Sequence, residues 1–181
     1  MTTPLNRLAV YCGSASPEDQ RYVELAYEVG KTLAERNIGV VYGGGRLGLM
    51  GAVAGAALAA GGEVIGVIPR GLATAEVAHD RLSALHVVES MHERKALMAD
   101  LSDGFVALPG GFGTMDEFHE ILTWRQLQIH DKPIGLLNVA GYYDPLLALY
   151  DRMEADGFLR ASTRALFVAA PTIAELLERF A

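Results

Sequence analysis

Short apolar runs and longer helical stretches take turns along the whole of this 181-residue chain, and that alternation admits few folds. The apolar runs cover residues 8–12, 38–42, 64–68, 85–88, 105–108, 134–139 and 166–169. They lack the strict in-and-out pattern of a half-exposed strand, so both faces are expected to be covered, as in a parallel sheet. Between them the sequence predicts helices over 18–36, with Tyr22, Leu25, Val29 and Leu33 inward, and over 48–60, 91–101, 145–156 and 173–180. A central helix carries Met115, Phe118, Ile121, Leu122 and Ile129 at helical spacing. The expected fold is α/β: a single Rossmann-like, doubly wound domain over residues 1–181, with a mainly parallel sheet and helices on both faces.

In such sheets ligands bind beyond the C-terminal strand ends, and three small-residue loops fall there. They are Gly13-Ser14-Ala15-Ser16-Pro17, Gly43-Gly44-Gly45 and Pro109-Gly110-Gly111-Phe112-Gly113-Thr114. The third runs from a strand into a helix, which gathers backbone N–H groups at the positive end of a helix dipole and favours an anion. A side chain at Gly110, Gly111 or Gly113 would hold the backbone off a ligand or forbid positive φ. The competing reading is a capping box, Thr114 at the N-cap and Glu117 three residues on, which closes a helix end without a ligand. Capping needs none of the three glycines, and they favour a phosphate site.

The second loop continues to Gly48 and matches G-x-G-x-x-G, a dinucleotide fingerprint. The acidic residue that would hold the ribose hydroxyls is missing, because the next strand ends Ile68-Pro69-Arg70. Arg70 leaves a 2′-phosphate cofactor open; tight helix–sheet packing and the lining of a mononucleotide pocket are the other uses of these glycines.

A formal net charge of −7 argues against a protein that grips a nucleic-acid backbone or an anionic membrane surface. A small anion needs only a local positive site. No signal-peptide signature stands at the N-terminus, and the alanine-rich stretch 51–62 is too short and glycine-broken to span a bilayer, so a cytoplasmic protein is expected. Cys12 is the sole cysteine and lies in an apolar run, as a small buried hydrophobe does. His79, His86, His92, His119 and His130 make no H-E-x-x-H pair, since Thr123 stands where the second histidine would follow His119, and no metal site is expected.

A second chemical stretch is Met91-His92-Glu93-Arg94-Lys95-Ala96-Leu97-Met98. On a helix, Met91, Arg94, Lys95 and Met98 fall on neighbouring positions of one face. Either the two cations pair with nearby acids such as Glu93 or Asp100, or they reach the ligand edge of the sheet. This helix leads directly into the strand that carries the phosphate loop, which favours the second use.

Taken with Pro109-Gly110-Gly111-Phe112-Gly113-Thr114 and Glu117, this stretch resembles the paired signature of the LONELY GUY (LOG) family of cytokinin-activating phosphoribohydrolases. The resemblance extends from Val10-Tyr11-Cys12-Gly13-Ser14 through Tyr42-Gly43-Gly44 to residues 132–138. It implies a homodimer without cofactor that hydrolyses the N-glycosidic bond of an N6-modified adenosine 5′-monophosphate, releasing the base and ribose 5-phosphate. It also implies Arg94 and Glu117 as the catalytic pair. Ligand contacts carried over with it are Glu76, Lys95, Gly110, Gly111, Phe112, Gly113, Thr114 and Thr123, with Ser14 and Gly44 from the first two loops. Glu76 rests on its spacing to Met91, because residues 72–83 depart from the family pattern.

Three alternatives stay open at this level. Proteins of this group also carry the label lysine decarboxylase, but a pyridoxal phosphate enzyme needs a Schiff-base lysine. Lys31 sits on an amphipathic helix and Lys132 in a turn, which leaves Lys95 alone near the site. Molybdenum cofactor carriers are similar in fold and bind a phosphate-bearing pterin without hydrolysis. AMP nucleosidases run the same reaction on the unmodified base.

Overall fold

The structure, a computed structural model, describes residues 5–73 and 81–180. Its strands are β1 (Arg7–Tyr11), β2 (Gly39–Tyr42), β3 (Val64–Pro69), β4 (Ala84–Val88), β5 (Gly104–Ala107), β6 (Ile134–Leu137) and β7 (Val168–Ala170). They form one sheet in the order β4-β3-β2-β1-β5-β6-β7, parallel throughout. The helices are α1 (Gln20–Glu35), α2 (Gly48–Ala59), α3 (Met91–Asp100), α4 (Phe112–Gln126), α5 (Asp144–Ala155), α6 (Ala161–Arg164) and α7 (Ile173–Phe180). No helix among the described residues is long and apolar enough to cross a membrane.

Each face of the sheet has its own apolar layer. On one side Leu8, Val10, Val40 and Leu108 pack with Leu33 of α1, Val53 of α2 and Leu176 of α7. On the other, Tyr11, Val41, Phe105 and Leu136 pack with Met98 of α3, Phe118 and Ile121 of α4 and Tyr150 of α5. Each fully buried large side chain contributes about 1.5–3 kcal/mol of transfer free energy. Helices α1 and α2 approach closely because a Cβ on Gly30 would collide with the Val53 carbonyl oxygen.

Edge strand β4 departs from the expectation of full burial, with Leu85 and Val87 39% and 44% exposed. The chain bends earlier than expected after β6, where residues 139–141 form a 3-10 turn. It also inserts the short helix α6, which moves the last strand on to Val168–Ala170.

The capping box weighed as the competing reading at Thr114 and Glu117 does not form there. Helix α4 begins at Phe112 with Gly111 as its N-cap, so Thr114 and Glu117 lie inside it. At α3 the Glu93 N–H donates to Ser90 Oγ at 3.1 Å, and Glu93 Oε2 accepts from the Glu89 N–H at 2.8 Å. Glu93 is thereby committed to the cap and leaves Arg94 and Lys95 to other partners.

The chain order reverses at β1, which lies between β2 and β5. Beyond that point, at the C-terminal strand ends, the connections after β1, β2, β3 and β5 converge with the start of α3.

Candidate active site

A cavity of about 580 Å³ opens at this switch point. Its walls come from Cys12, Gly13, Ser14 and Ala15 after β1, from Gly43, Gly45, Leu47 and Met50 after β2, and from Ile68, Pro69 and Leu72 at the end of β3. Met91 and Arg94 of α3 face Gly111, Phe112, Gly113, Thr114 and Glu117 across it.

Arg94 is held from several sides. Its Nε donates to the Val67 carbonyl at 3.0 Å, and its Nη1 lies 3.2 Å from Glu117 Oε1. Its Nη2 fills the space that a Cβ on Gly43 would take. Burial raises the Glu117 carboxyl to about 7; Arg94 pulls it back down without cancelling that effect, and Asp116 and Glu120 add to the rise. A carboxyl that exchanges its proton near neutrality is suited to general acid–base work.

Of the two reasons expected for the glycines of the turn, positive φ does not apply. Among Gly110, Gly111 and Gly113 none has positive φ. Gly110 is required because a Cβ there would strike the Thr114 side chain, itself buried. A Cβ on Gly111 or Gly113 would meet nothing, so these positions leave open space at the start of α4. The helix ladder begins with the Met115 N–H donating to the Gly111 carbonyl at 3.1 Å, and the amides before it have no partner within the helix.

The expected ligand residues divide between two places. Ser14, Arg94, Gly111, Phe112, Gly113, Thr114 and Glu117 share the cavity. Gly110 lies just behind it. Gly44, at φ +77°, turns its missing Cβ toward Ile68 and Leu85 and serves close packing against β3. Thr123 lies on another face of α4, in a shallow groove with Met115, Asp116, His119, Glu120 and Trp124. Lys95 also bonds to that part of α4, through Asp116 at 3.0 Å and Glu120. Glu76 and His79 lie outside the described residues.

The other candidates resolve as follows. Gly48, at φ +60°, brings α2 against the Ser14 and Ala15 carbonyls, and the Leu49 N–H donates to Gly13 O, so Gly48 of the G-x-G-x-x-G loop serves packing while Gly43 and Gly45 line the cavity. Arg70 pairs with Glu89 on the surface, outside the cavity lining. Cys12 is buried and its thiol is pushed up by desolvation, which disfavours the thiolate. His119 sits between the Met115 carbonyl and the Tyr150 hydroxyl, and His130 against the Ile121 carbonyl. Among the described residues no group of three or more His, Cys, Asp or Glu side chains is placed to hold a metal ion.

Sequence reasoning placed Gly43 in a ligand-edge loop but missed that its lack of a side chain makes room for Arg94. It also missed Tyr142 and Tyr143, whose hydroxyls donate to the Gly110 and Leu108 carbonyls at 2.8 and 2.6 Å. Position after a strand end was the signal for Gly43. Nothing near the tyrosines in sequence points to the glycine turn.

Comparison with known proteins gives a consistent set of relatives. A family model described as possible lysine decarboxylase matches residues 50–180. The probable cytokinin riboside 5′-monophosphate phosphoribohydrolase LOGL1 of Oryza sativa subsp. japonica is 50% identical over 173 residues, 96% of this chain and 78% of that protein. The enzyme LOG of the same plant is 49% identical over 171 residues, covering 94% of this chain and 71% of that protein. LOG1 of Arabidopsis thaliana is 46% identical over 96% of this chain and 81% of that protein. Among solved structures, a molybdenum cofactor carrier protein from Chlamydomonas reinhardtii superposes with a TM-score of 0.70 at 22% identity, covering 96% of both chains. At that identity the likeness shows the fold alone.

Proposed function

This chain belongs to the LONELY GUY (LOG) family of cytokinin riboside 5′-monophosphate phosphoribohydrolases, and on that premise we propose that it hydrolyses the N-glycosidic bond of N6-modified adenosine 5′-monophosphates. The products are the free base and ribose 5-phosphate. The observation that carries the reading is the Arg94–Glu117 pair, 3.2 Å apart, in the same cavity as the open first turn of α4.

Cleaving a ribosyl C–N bond builds positive charge on the sugar and sends an electron pair onto the purine. In the proposed arrangement the amides of Gly111, Phe112, Gly113 and Thr114 hold the 5′-phosphate, a remote handle whose binding energy fixes the reacting bond in place. Glu117 lies on the ribose side, where its carboxylate offsets the sugar charge and takes a proton from the attacking water. The water oxygen bonds to C1′ as the C1′–N bond breaks. Arg94 hydrogen-bonds the departing purine, and the proton that Glu117 took from water passes to the purine, so the pair ends as it began.

A pyridoxal phosphate decarboxylase fits these residues poorly. Lys31 pairs with Glu35 on α1, the Lys132 ammonium donates to the Ala99 carbonyl, and Lys95 is engaged by Asp116 and Glu120. No lysine lines the cavity among the described residues. A molybdenum cofactor carrier has no use for a buried carboxylate with a proton affinity near neutrality.

We also propose a homodimer. Leu127 and Ile129, at and just beyond the end of α4, are each 63% exposed, and Lys95 and Thr123 bear on a side of α4 away from this chain's own cavity. A second subunit seated on that side would cover the apolar surface. Size-exclusion chromatography with light scattering tests this, and a monomer at micromolar concentration refutes it.

The decisive experiment follows base release from AMP and from isopentenyladenosine 5′-monophosphate, with wild type and Glu117→Gln. Release that Glu117→Gln abolishes, faster on the modified nucleotide, is the expected result. Faster release from AMP assigns an AMP nucleosidase instead, and no release from either, with nucleotide bound, favours a carrier.

A further inference from the structure

The glycine turn is fixed by its carbonyl side, and two residues that do it lie far away in the sequence. Three consecutive carbonyls, those of Leu108, Pro109 and Gly110, each accept a bond from outside the turn. The donors are Tyr143 Oη at 2.6 Å, the Gly13 N–H at 3.3 Å and Tyr142 Oη at 2.8 Å. Those bonds hold the three carbonyls just ahead of Gly111, Phe112, Gly113 and Thr114, which line the cavity.

The segment that presents the tyrosines is itself tightly specified. Ala140 adopts a left-handed backbone at φ +51°, a conformation an L residue takes only at a cost, and Gly141 follows at φ +71°. Asn138 ties the segment together, its Oδ1 accepting from the Tyr143 N–H at 2.7 Å and its Nδ2 donating to Asp144 Oδ1 at 2.7 Å. The Tyr142 ring stands edge-on to Tyr22 of α1 and to Tyr143, with centroids 5.5 and 4.8 Å apart. Tyr143 is buried, and desolvation keeps its hydroxyl protonated and so a donor.

We propose that Tyr142 and Tyr143 are positioning residues for the phosphate-binding turn, acting on the 5′-phosphate through the carbonyls of Gly110 and Leu108. This rests on the reading of α4's first turn as the phosphate site. Neither hydroxyl touches substrate. Tyr142 sets the orientation of the Gly110–Gly111 peptide, whose N–H belongs to the turn, while Tyr143, on the Leu108–Pro109 peptide that carries no N–H, fixes the chain entering it; preorganised donors hold an anion better than donors that must be turned into place on binding.

The test uses inhibition of base release by two product-like probes: ribose 5-phosphate, which carries the phosphate, and adenine, which does not. Tyr142→Phe removes one partly exposed hydroxyl and keeps the ring against Tyr22, so the fold and its melting temperature should stay as in wild type. The expected result is a Ki for ribose 5-phosphate raised about five- to ten-fold, the worth of one hydrogen bond, with the Ki for adenine unchanged. Tyr143→Phe should raise the ribose 5-phosphate Ki by less than Tyr142→Phe, because the Leu108–Pro109 peptide carries no N–H, alongside a lower melting temperature because its hydroxyl is buried. An unchanged ribose 5-phosphate Ki in Tyr142→Phe overturns the proposal, as does an equal loss for both probes, which would mark a general structural role. If wild type itself ignores ribose 5-phosphate while adenine inhibits, the phosphate-site reading fails and takes the proposal with it.

Discussion

Arg94 Nη1 lies 3.2 Å from Glu117 Oε1, and the two side chains are only 11% and 9% exposed. This pair joins α3 to α4 at the inner end of the cavity. Taking a carboxylate out of water costs more than one adjacent guanidinium restores, and Glu117 accordingly holds a proton up to about pH 7.

A pH profile follows from that balance. If ionised Glu117 takes the proton from water, kcat/KM falls about tenfold per pH unit well below 7 and levels off above it. Arg94→Gln removes the larger of the two charges, Arg94 and Lys95, that lower the carboxyl, so the limb in its residual activity should move to higher pH. A wild-type profile flat from pH 5 to 8 would remove Glu117 from the base role.

Replacing the carboxylate separates catalysis from stability. Glu117→Gln keeps size and hydrogen-bonding capacity, and base release should drop about 10²- to 10⁴-fold while nucleotide still binds. A carboxyl raised in the folded state favours folding below its unfolded value, and that contribution is lost as pH rises through about 7. The variant should therefore melt at or above the wild-type temperature at pH 8, an advantage that shrinks toward pH 5. Calorimetry at the two pH values checks it.

Gly43→Ala tests the space reserved for Arg94. The added Cβ would collide with Nη2 and crowd Met50 Sδ, displacing the guanidinium from Glu117. We expect kcat to fall about 10²-fold, the scale of a misplacement of about 1 Å, with ribose 5-phosphate inhibition unchanged because α4's first turn is untouched.

Lys95→Met addresses the other ion pairs between α3 and α4. Burial opposes the Lys95 charge, but hydrogen bonds with Glu120 and Asp116 outweigh it and raise its pKa. Its contribution to stability is thus full below the ordinary lysine value and lost above it. Asp116 is 59% exposed, so solvent screens part of the interaction, and the loss should be about 1 kcal/mol, smaller in high salt. Urea unfolding at two ionic strengths would read it.

The sequence by itself determined the α/β class, the parallel sheet, and the loops that meet at its ligand edge. These features are periodic or local: runs without alternation mark strands covered on both faces, and a glycine after a strand marks a turn whatever surrounds it. Tertiary structure decided how the residues on those elements are used. Arg94 and Lys95 are neighbours in sequence and looked equivalent on one helix face. About 100° of helical rotation sends the first to Glu117 in the cavity and the second to Asp116 and Glu120 on an adjoining face of α4. Nor could spacing reveal that Gly43 yields its space to Arg94, that Gly44 packs against β3, or that Tyr142 and Tyr143 hold a turn more than thirty residues away. The proton affinity of Glu117 was hidden for the same reason: it depends on what excludes water from the carboxylate and which charges face it, and segments distant in sequence supply both.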